Sequence, residues 1–182
     1  MATHIAKGAK KAGIETILKK VEELTLNDLA KADGIVVGSP THYSNLAWQI
    51  KKLLDDTILT FYIKGHSLRN KVCGCFTSTG AYNDGKECLR MLELAFGFAL
   101  KMKIVPGIIL ESKEINDDNL SACYEFGEKI GQELTSIWSH KCNIRKKGIK
   151  SERNPQPTSL HTWILVSCFS LNSIVRGCWF VV

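Results

Sequence analysis

Short, uninterrupted apolar runs are the feature that most restricts how this chain can fold. Residues 34–38 read GIVVG, a run too short for a helix but long enough for a strand covered on both faces. Residues 72–77 (VCGCFT) and 104–110 (IVPGIIL) have the same character. Pro106 predicts an edge position for the last of them, because proline cannot donate a ladder hydrogen bond. These runs predict buried strands of a largely parallel sheet.

Amphipathic segments separate the apolar runs. Apolar residues recur at helical spacing in residues 2–12, 46–57, 85–101 and 117–138, while residues 14–21 alternate like a partly exposed strand. Asn27 is the predicted cap of a short helix, and Trp48 is assigned to the core. Strands that alternate with helices indicate βαβ units with right-handed crossovers. The predicted fold class is therefore α/β, a doubly wound parallel sheet in three α/β/α layers.

Two polar segments follow two of these strands. The first begins at the proline turn of residues 39–40, and the second carries two glycines, Gly80 and Gly85, which permit a close approach of the backbone. Ligands of such sheets bind beyond the carboxyl ends of the strands. Each segment alone is typical of an ordinary turn. Together, at corresponding strand ends, they predict a site for a planar ring that forms hydrogen bonds. The candidate residues are Ser39, Pro40, Thr41, His42, Tyr43, Asn45, Thr77, Ser78, Thr79, Gly80, Ala81 and Tyr82.

The same residues carry a resemblance to a known family. Three segments in this order resemble the flavodoxin-like family: ADGIVVGSPTHYSNLAWQIKKLLDDT, KVCGCFTSTGAYNDGKE and MKIVPGIIL. Within that family they resemble the NAD(P)H:quinone oxidoreductase branch of the tryptophan-repressor-binding-protein (WrbA) type. The resemblance spans residues 2–138. It implies strand order 2-1-3-4-5 and a bound FMN whose ring Thr41, His42 and Tyr43 contact. It also implies that residues 77–82 hold the pyrimidine edge and the ribityl side.

The resemblance also implies a function. The chain would transfer hydride from NAD(P)H, its co-substrate, through FMN to a quinone or similar small acceptor, with no catalytic side chain of its own. A homo-oligomer is implied too. Two alternatives stay open, a truncated or degenerate non-catalytic protein and an FMN electron carrier. Residues 1–140 have a net charge of zero, which weighs against the carrier, since carriers commonly dock through an acidic face.

The start of the chain departs from the family pattern. The family opens with an apolar central strand and a loop that holds the FMN phosphate at a helix N-terminus, whereas here Met1 stands where that helix begins. FMN binding would be weak or lost if the phosphate loop is absent. The predicted organisation is an N-terminally truncated FMN-binding domain over residues 1–140, a basic linker over 141–160 and an apolar tail over 161–182.

The tail permits three interpretations. It is a non-homologous extension, or a membrane anchor, which the interruption by Arg176 disfavours, or a replacement for the missing first strand. In the third case residues 161–173 enter the vacant central slot in parallel. The chain would then be circularly permuted, with Ser170 and Ser173 near the phosphate site.

Charge and cysteine spacing exclude other classes of function. Residues 1–140 carry 17 basic and 17 acidic side chains, so the net charge of +6 lies wholly in residues 141–182. A folded basic surface for nucleic acid is therefore not expected. The seven cysteines form no C-x-x-C pair and no cluster with zinc spacing, so no metal site is expected. The absence of a secretory signal favours a reducing, cytoplasmic location.

Overall fold

The computed structural model describes residues 1–111, 120–146, 162–167 and 179–181. Seven strands form its sheet: β1 (Glu15–Lys20), β2 (Gly34–His42), β3 (Asn45–Leu46), β4 (Val72–Thr79), β5 (Lys103–Glu111), β6 (Thr162–Ser167) and β7 (Trp179–Val181). Six α-helices accompany them: α1 (Ala2–Lys11), α2 (Leu26–Lys31), α3 (Trp48–Lys52), α4 (Leu59–Ile63), α5 (Tyr82–Glu93) and α6 (Leu120–Lys146). A π-helical segment joins α3 to α4, and another extends α5.

Five strands run parallel in the order β1, β6, β2, β4, β5. When β6 is counted as the first strand of the fold, this is the expected order 2-1-3-4-5. The α/β class is confirmed, and β5 lies at the edge that Pro106 predicted. The ladder between β4 and β5 shifts register between Gly74 and Phe76, opposite the segment that contains Pro106.

The strand β6 lies inside the sheet, between β1 and β2, although it comes near the end of the chain. It pairs in parallel with β1 over five residue pairs and with β2 over four. The short β7 pairs antiparallel with both β1 and β6. This is the placement that the third interpretation of the tail predicts. Ser170 and Ser173 lie outside the described residues. The helix α6 continues to Lys146, into the segment that the sequence assigned to the linker.

The sheet buries a different side-chain set on each face because successive strand residues point in opposite directions. Ile35 and Val37 pack on one side with helices α2 to α5, while Val36 packs on the other with α1 and α6. On that second side the two helices come close enough that a methyl group at Gly8 would lie 2.0 Å from the carbonyl oxygen of Tyr124. Helices therefore cover both faces, as a doubly wound sheet requires.

Two local predictions were wrong. Thr25, rather than Asn27, caps α2: its hydroxyl accepts the Asp28 amide at 3.2 Å, and the Asp28 carboxylate accepts the Thr25 amide at 2.8 Å. Trp48 is 67% exposed, not in the core. It begins α3 two residues before the buried Ile50, and residues two apart lie on nearly opposite sides of a helix.

Candidate functional site

The two predicted segments lie side by side at one edge of the sheet. They follow β2 and β4, which pair in parallel through Ser39 with Thr77 and Pro40 with Ser78. Both segments therefore leave the sheet at its carboxyl edge. That convergence is the geometric condition for a shared site.

Buried hydroxyl groups join the bases of the two segments. The Thr77 hydroxyl donates to the Ser39 carbonyl oxygen at 2.7 Å, and the hydroxyl oxygens of Thr41 and Thr77 are 2.9 Å apart. Since Thr77 has only one hydroxyl proton, Thr41 is the donor of that second bond. Ser39 and Thr77 are fully buried, and the Ser39 hydroxyl oxygen accepts the Ala47 amide at 2.8 Å. These two side chains hold the backbone in place rather than face a ligand.

The first segment is a tight β-hairpin. His42 pairs with Asn45 across a two-residue turn in which Tyr43 has φ 49° and Ser44 has φ 60°. Two consecutive residues with positive φ define a type I′ turn, where glycine or asparagine is usual. Left-handed conformations cost non-glycine residues about 1–2 kcal/mol each. The turn carries the Tyr43 side chain fully exposed beyond the sheet edge.

The second segment presents backbone with open space above it. The Thr79 hydroxyl donates to the Ala81 carbonyl oxygen at 2.7 Å and accepts the Ala81 amide at 3.2 Å. The helix α5 then begins at Tyr82, and its N-cap residue Ala81 has no side chain that can accept the first-turn amides. A methyl group added at Gly80 would meet no atom within 4 Å.

The second glycine of this segment serves a different purpose. A methyl group at Gly85 would lie 2.8 Å from side-chain carbons of Thr79 and of Ile109. Gly85 therefore allows α5 to pack closely on the sheet. Of the two glycines in this segment, only Gly80 leaves room for a ligand to approach the backbone.

Three residues that no sequence signal singled out, Ser44, Asp84 and Cys88, complete the geometry. The Ser44 hydroxyl donates to the Asp84 carboxylate at 2.6 Å, a contact between the two segments across 40 residues of sequence. The Cys88 thiol lies fully buried beneath them, 3.5 Å from the Thr77 hydroxyl oxygen. Both pairs join positions far apart in the chain, so spacing alone could not reveal them.

Two of the buried cysteines, Cys75 and Cys123, have raised pKa values and are therefore not activated nucleophiles. A hydrogen bond with Cys73, together with burial, raises the pKa of the Cys75 thiol well above its usual value. Burial raises the pKa of the Cys123 thiol to about 11. In the part of the chain that the structure describes, no cluster of metal-ligating side chains occurs and no helix is long and apolar enough to cross a membrane.

A groove elsewhere on the surface does not coincide with the predicted site. It has a volume of about 390 Å³ and lies between α1 and α6, on the helical layer away from the hairpin. Six of its seven lining residues have polar side chains, among them the Lys11–Glu128 ion pair at 2.9 Å. The predicted site is instead an open edge, formed by the hairpin and the start of α5.

Comparison with curated proteins finds relatives that are named as a flavodoxin and as a quinone dehydrogenase. A flavodoxin of Aquifex aeolicus is 28% identical over 146 residues, which is 72% of this chain and 77% of that protein. The NAD(P)H dehydrogenase (quinone) 3 of Rhizobium meliloti is 36% identical over 107 residues, 48% of this chain. The matched part is 50% of the length of that dehydrogenase.

Comparison with solved structures supports the fold. A flavodoxin from the domain Archaea has a TM-score of 0.58 at 20% identity, with 73% of this chain and 87% of that one covered. A flavodoxin, WrbA-like protein from Agrobacterium tumefaciens has a TM-score of 0.58 at 20% identity, covering 74% and 87%. The flavodiiron protein from Giardia intestinalis has a TM-score of 0.63 at 17% identity, covering 77% and 34%. All three share the flavodoxin-like fold with this chain.

The decisive match is with a family profile. The profile described as NADPH-dependent FMN reductase matches residues 4–116, more than half of the chain, and that stretch contains both segments of the site. The chain therefore belongs to the NADPH-dependent FMN reductase family.

Proposed function

We propose that the chain is an FMN-dependent NAD(P)H:quinone oxidoreductase whose flavin ring lies between the hairpin and the start of α5. One observation carries the proposal: both segments leave the carboxyl edge of the sheet on paired strands. Each segment carries an exposed tyrosine ring, and the backbone at Gly80 faces open space. Family membership and the quinone dehydrogenase of Rhizobium meliloti support the same reaction class.

The residues at this edge fit the chemistry of a flavin ring. The exposed rings of Tyr43 and Tyr82 offer flat apolar faces, and Thr41 and His42 line the hairpin side. First-turn amides of α5, for which Ala81 supplies no capping group, fit the oxygen atoms of a pyrimidine edge. When bound, FMN accepts hydride from the nicotinamide and passes two electrons to the acceptor. The protein binds the ring, orients it and shields one side from water.

The position of β6 weighs against a non-catalytic remnant. That alternative rested on the lack of the first strand and of the phosphate loop, and β6 supplies the strand by pairing with both neighbours of the vacant slot. Ser170 and Ser173, in the segment that follows β6 in sequence, are still proposed to bind the FMN phosphate. The division into residues 1–140, 141–160 and 161–182 also remains a proposal.

An electron carrier is the second candidate. The alignment with the flavodoxin of Aquifex aeolicus covers more of this chain than that with the quinone dehydrogenase. A carrier would bind FMN at the same edge without turning over a nicotinamide. The equal numbers of acidic and basic side chains in residues 1–140 disfavour docking through an acidic face.

We also propose that the protein forms a homo-oligomer in the cytoplasm. Four large apolar side chains are exposed on α4 and on the π-helical extension of α5, which supports association: Leu59, Ile63, Leu94 and Phe98. Cys73, Cys75, Cys88 and Cys123 are free thiols, which suits a reducing compartment.

Flavin titration tests the function. FMN fluorescence should be quenched saturably at micromolar protein, and the loaded protein should oxidise NADPH when benzoquinone is added. The variant Tyr43→Ala should weaken binding, whereas Phe98→Ala, which removes an exposed ring elsewhere, should not. Quenching without NADPH oxidation would favour the carrier. No quenching would refute both candidates.

A further inference from the structure

The Asp84 carboxylate has an unusual partner. Asp84 is the third residue of α5, a position from which an acidic side chain commonly folds back onto the start of its own helix. Here its Oδ1 accepts the Ser44 hydroxyl at 2.6 Å, and the Ala81 amide is bound instead by the Thr79 hydroxyl. The carboxylate is thus directed away from its helix and towards the hairpin.

The hairpin turn is the part of the site that most needs such support. Tyr43 and Ser44 both adopt left-handed conformations without the freedom of glycine. The Asn45 side chain accepts only the adjacent Leu46 amide, at 2.8 Å, so it does not tie the turn to the rest of the protein. Ser44 lies at the turn itself and makes the cross-segment bond.

We propose that the Ser44–Asp84 hydrogen bond is a positioning contact that holds the Tyr43 turn against α5, in the conformation that receives the flavin ring. This inference rests on the proposed function and names the residues that set the width of the ring site. Ser44 and Asp84 are positioning residues, because they act through the turn. Without their bond, the turn would relax towards less costly backbone conformations and carry the Tyr43 ring away from the site.

A double-mutant cycle tests the contact and its purpose separately. The variants are Ser44→Ala, Asp84→Ala and the double variant. The controls are Ser139→Ala and Asp55→Ala, which remove exposed side chains of the same types from other helices. The first readout, amide hydrogen exchange at Ser44 and Asn45 in the flavin-free protein, does not depend on FMN. The second readout is FMN affinity from fluorescence quenching.

Each single variant should speed exchange of the turn amides and weaken FMN binding about five- to tenfold, the range expected for one hydrogen bond to a charged acceptor near solvent. The double variant should be no worse than either single variant, because the same bond is lost. The controls should match the wild type in both readouts.

Ser44→Gly separates the bond from the turn conformation. It removes the hydroxyl but favours positive φ, so FMN affinity should fall less than in Ser44→Ala. Unchanged exchange in Ser44→Ala would overturn the contact. Faster exchange with unchanged FMN affinity would overturn its positioning role. If the wild type itself fails to bind FMN, the proposed function is refuted, and the exchange data alone decide whether the bond holds the turn.

Discussion

Removal of residues 161–182 should abolish folding, because β6 is an interior strand that joins β1 to the rest of the parallel sheet. With β6 absent, β1 loses its parallel partner, and β2 becomes an edge strand with β4 as its remaining parallel partner. The strand forms five residue pairs with β1 and four with β2. A parallel ladder has roughly one hydrogen bond per pair, and each contributes about 0.5–1.5 kcal/mol net. The loss of pairing alone is then about 5–13 kcal/mol, comparable with the whole stability of a typical domain.

Circular dichroism during urea unfolding measures this effect. The full chain should unfold cooperatively, and the truncated chain should show no transition. A point variant makes the same test without shortening the chain: Leu165→Pro removes an amide in the middle of β6, where Leu165 is paired with Val36 and Leu18. Leu165→Val, which suits a strand, is its control. A truncated chain that unfolds at the same urea concentration as the full chain would refute the placement of β6.

Three further perturbations address the site and its supports. Gly80→Ala should weaken FMN binding at least tenfold, because the added methyl group occupies the open space through which the ring would approach the backbone. The unfolding midpoint should not change, because no protein atom lies within 4 Å of that methyl group. Equal FMN affinity in the variant and the wild type would mean that no ligand approaches there. Asp28→Asn should lower stability by about 1–2 kcal/mol in urea titrations at pH 7, since its carboxylate accepts the Thr25 amide in the capping box that begins α2. Burial opposes ionisation of Asp28, but hydrogen bonds from Lys19 and Thr25 outweigh it and hold its pKa below the usual value. The Asp28 contribution should therefore be complete above about pH 5 and be lost as the pH falls through the lowered pKa. A difference between wild type and variant that stays constant as the pH is lowered would contradict this. Glu93→Ala should cost about 1–3 kcal/mol, because Glu93 accepts the Gly107 amide at 3.1 Å beside the irregular β4–β5 ladder, whereas Glu93→Gln should cost less.

The strands of the sheet could be predicted from the sequence because buried strands consist of short runs of apolar residues. Runs such as residues 34–38 and 72–77 are apolar on both faces, and the proline of β5 marks an edge, so strand type and edge position follow from short windows. The parallel arrangement of these strands then places their polar ends at one edge. The adjacency of the two site segments is therefore predictable from the sequence.

Other features depend on partners distant in sequence. In the sequence, Ser44 is an ordinary turn residue and Asp84 an ordinary helix residue. Only the folded structure shows that the Ser44 hydroxyl oxygen lies 2.6 Å from Oδ1 of Asp84. The exposure of Trp48 depends on where α3 begins, and helix boundaries are the least reliable part of a pattern. The central place of β6 was only one of three interpretations, because an apolar hexamer does not reveal which gap in a sheet it fills.

The most direct test of the flavin site is a map of backbone amide chemical shifts during FMN titration of the full-length protein. The account predicts that the largest shifts lie in residues 39–45 and 77–85, and that Gly80 and Tyr82 are among them. Shifts that cluster along the groove between α1 and α6, or the absence of any saturable shift, would contradict it.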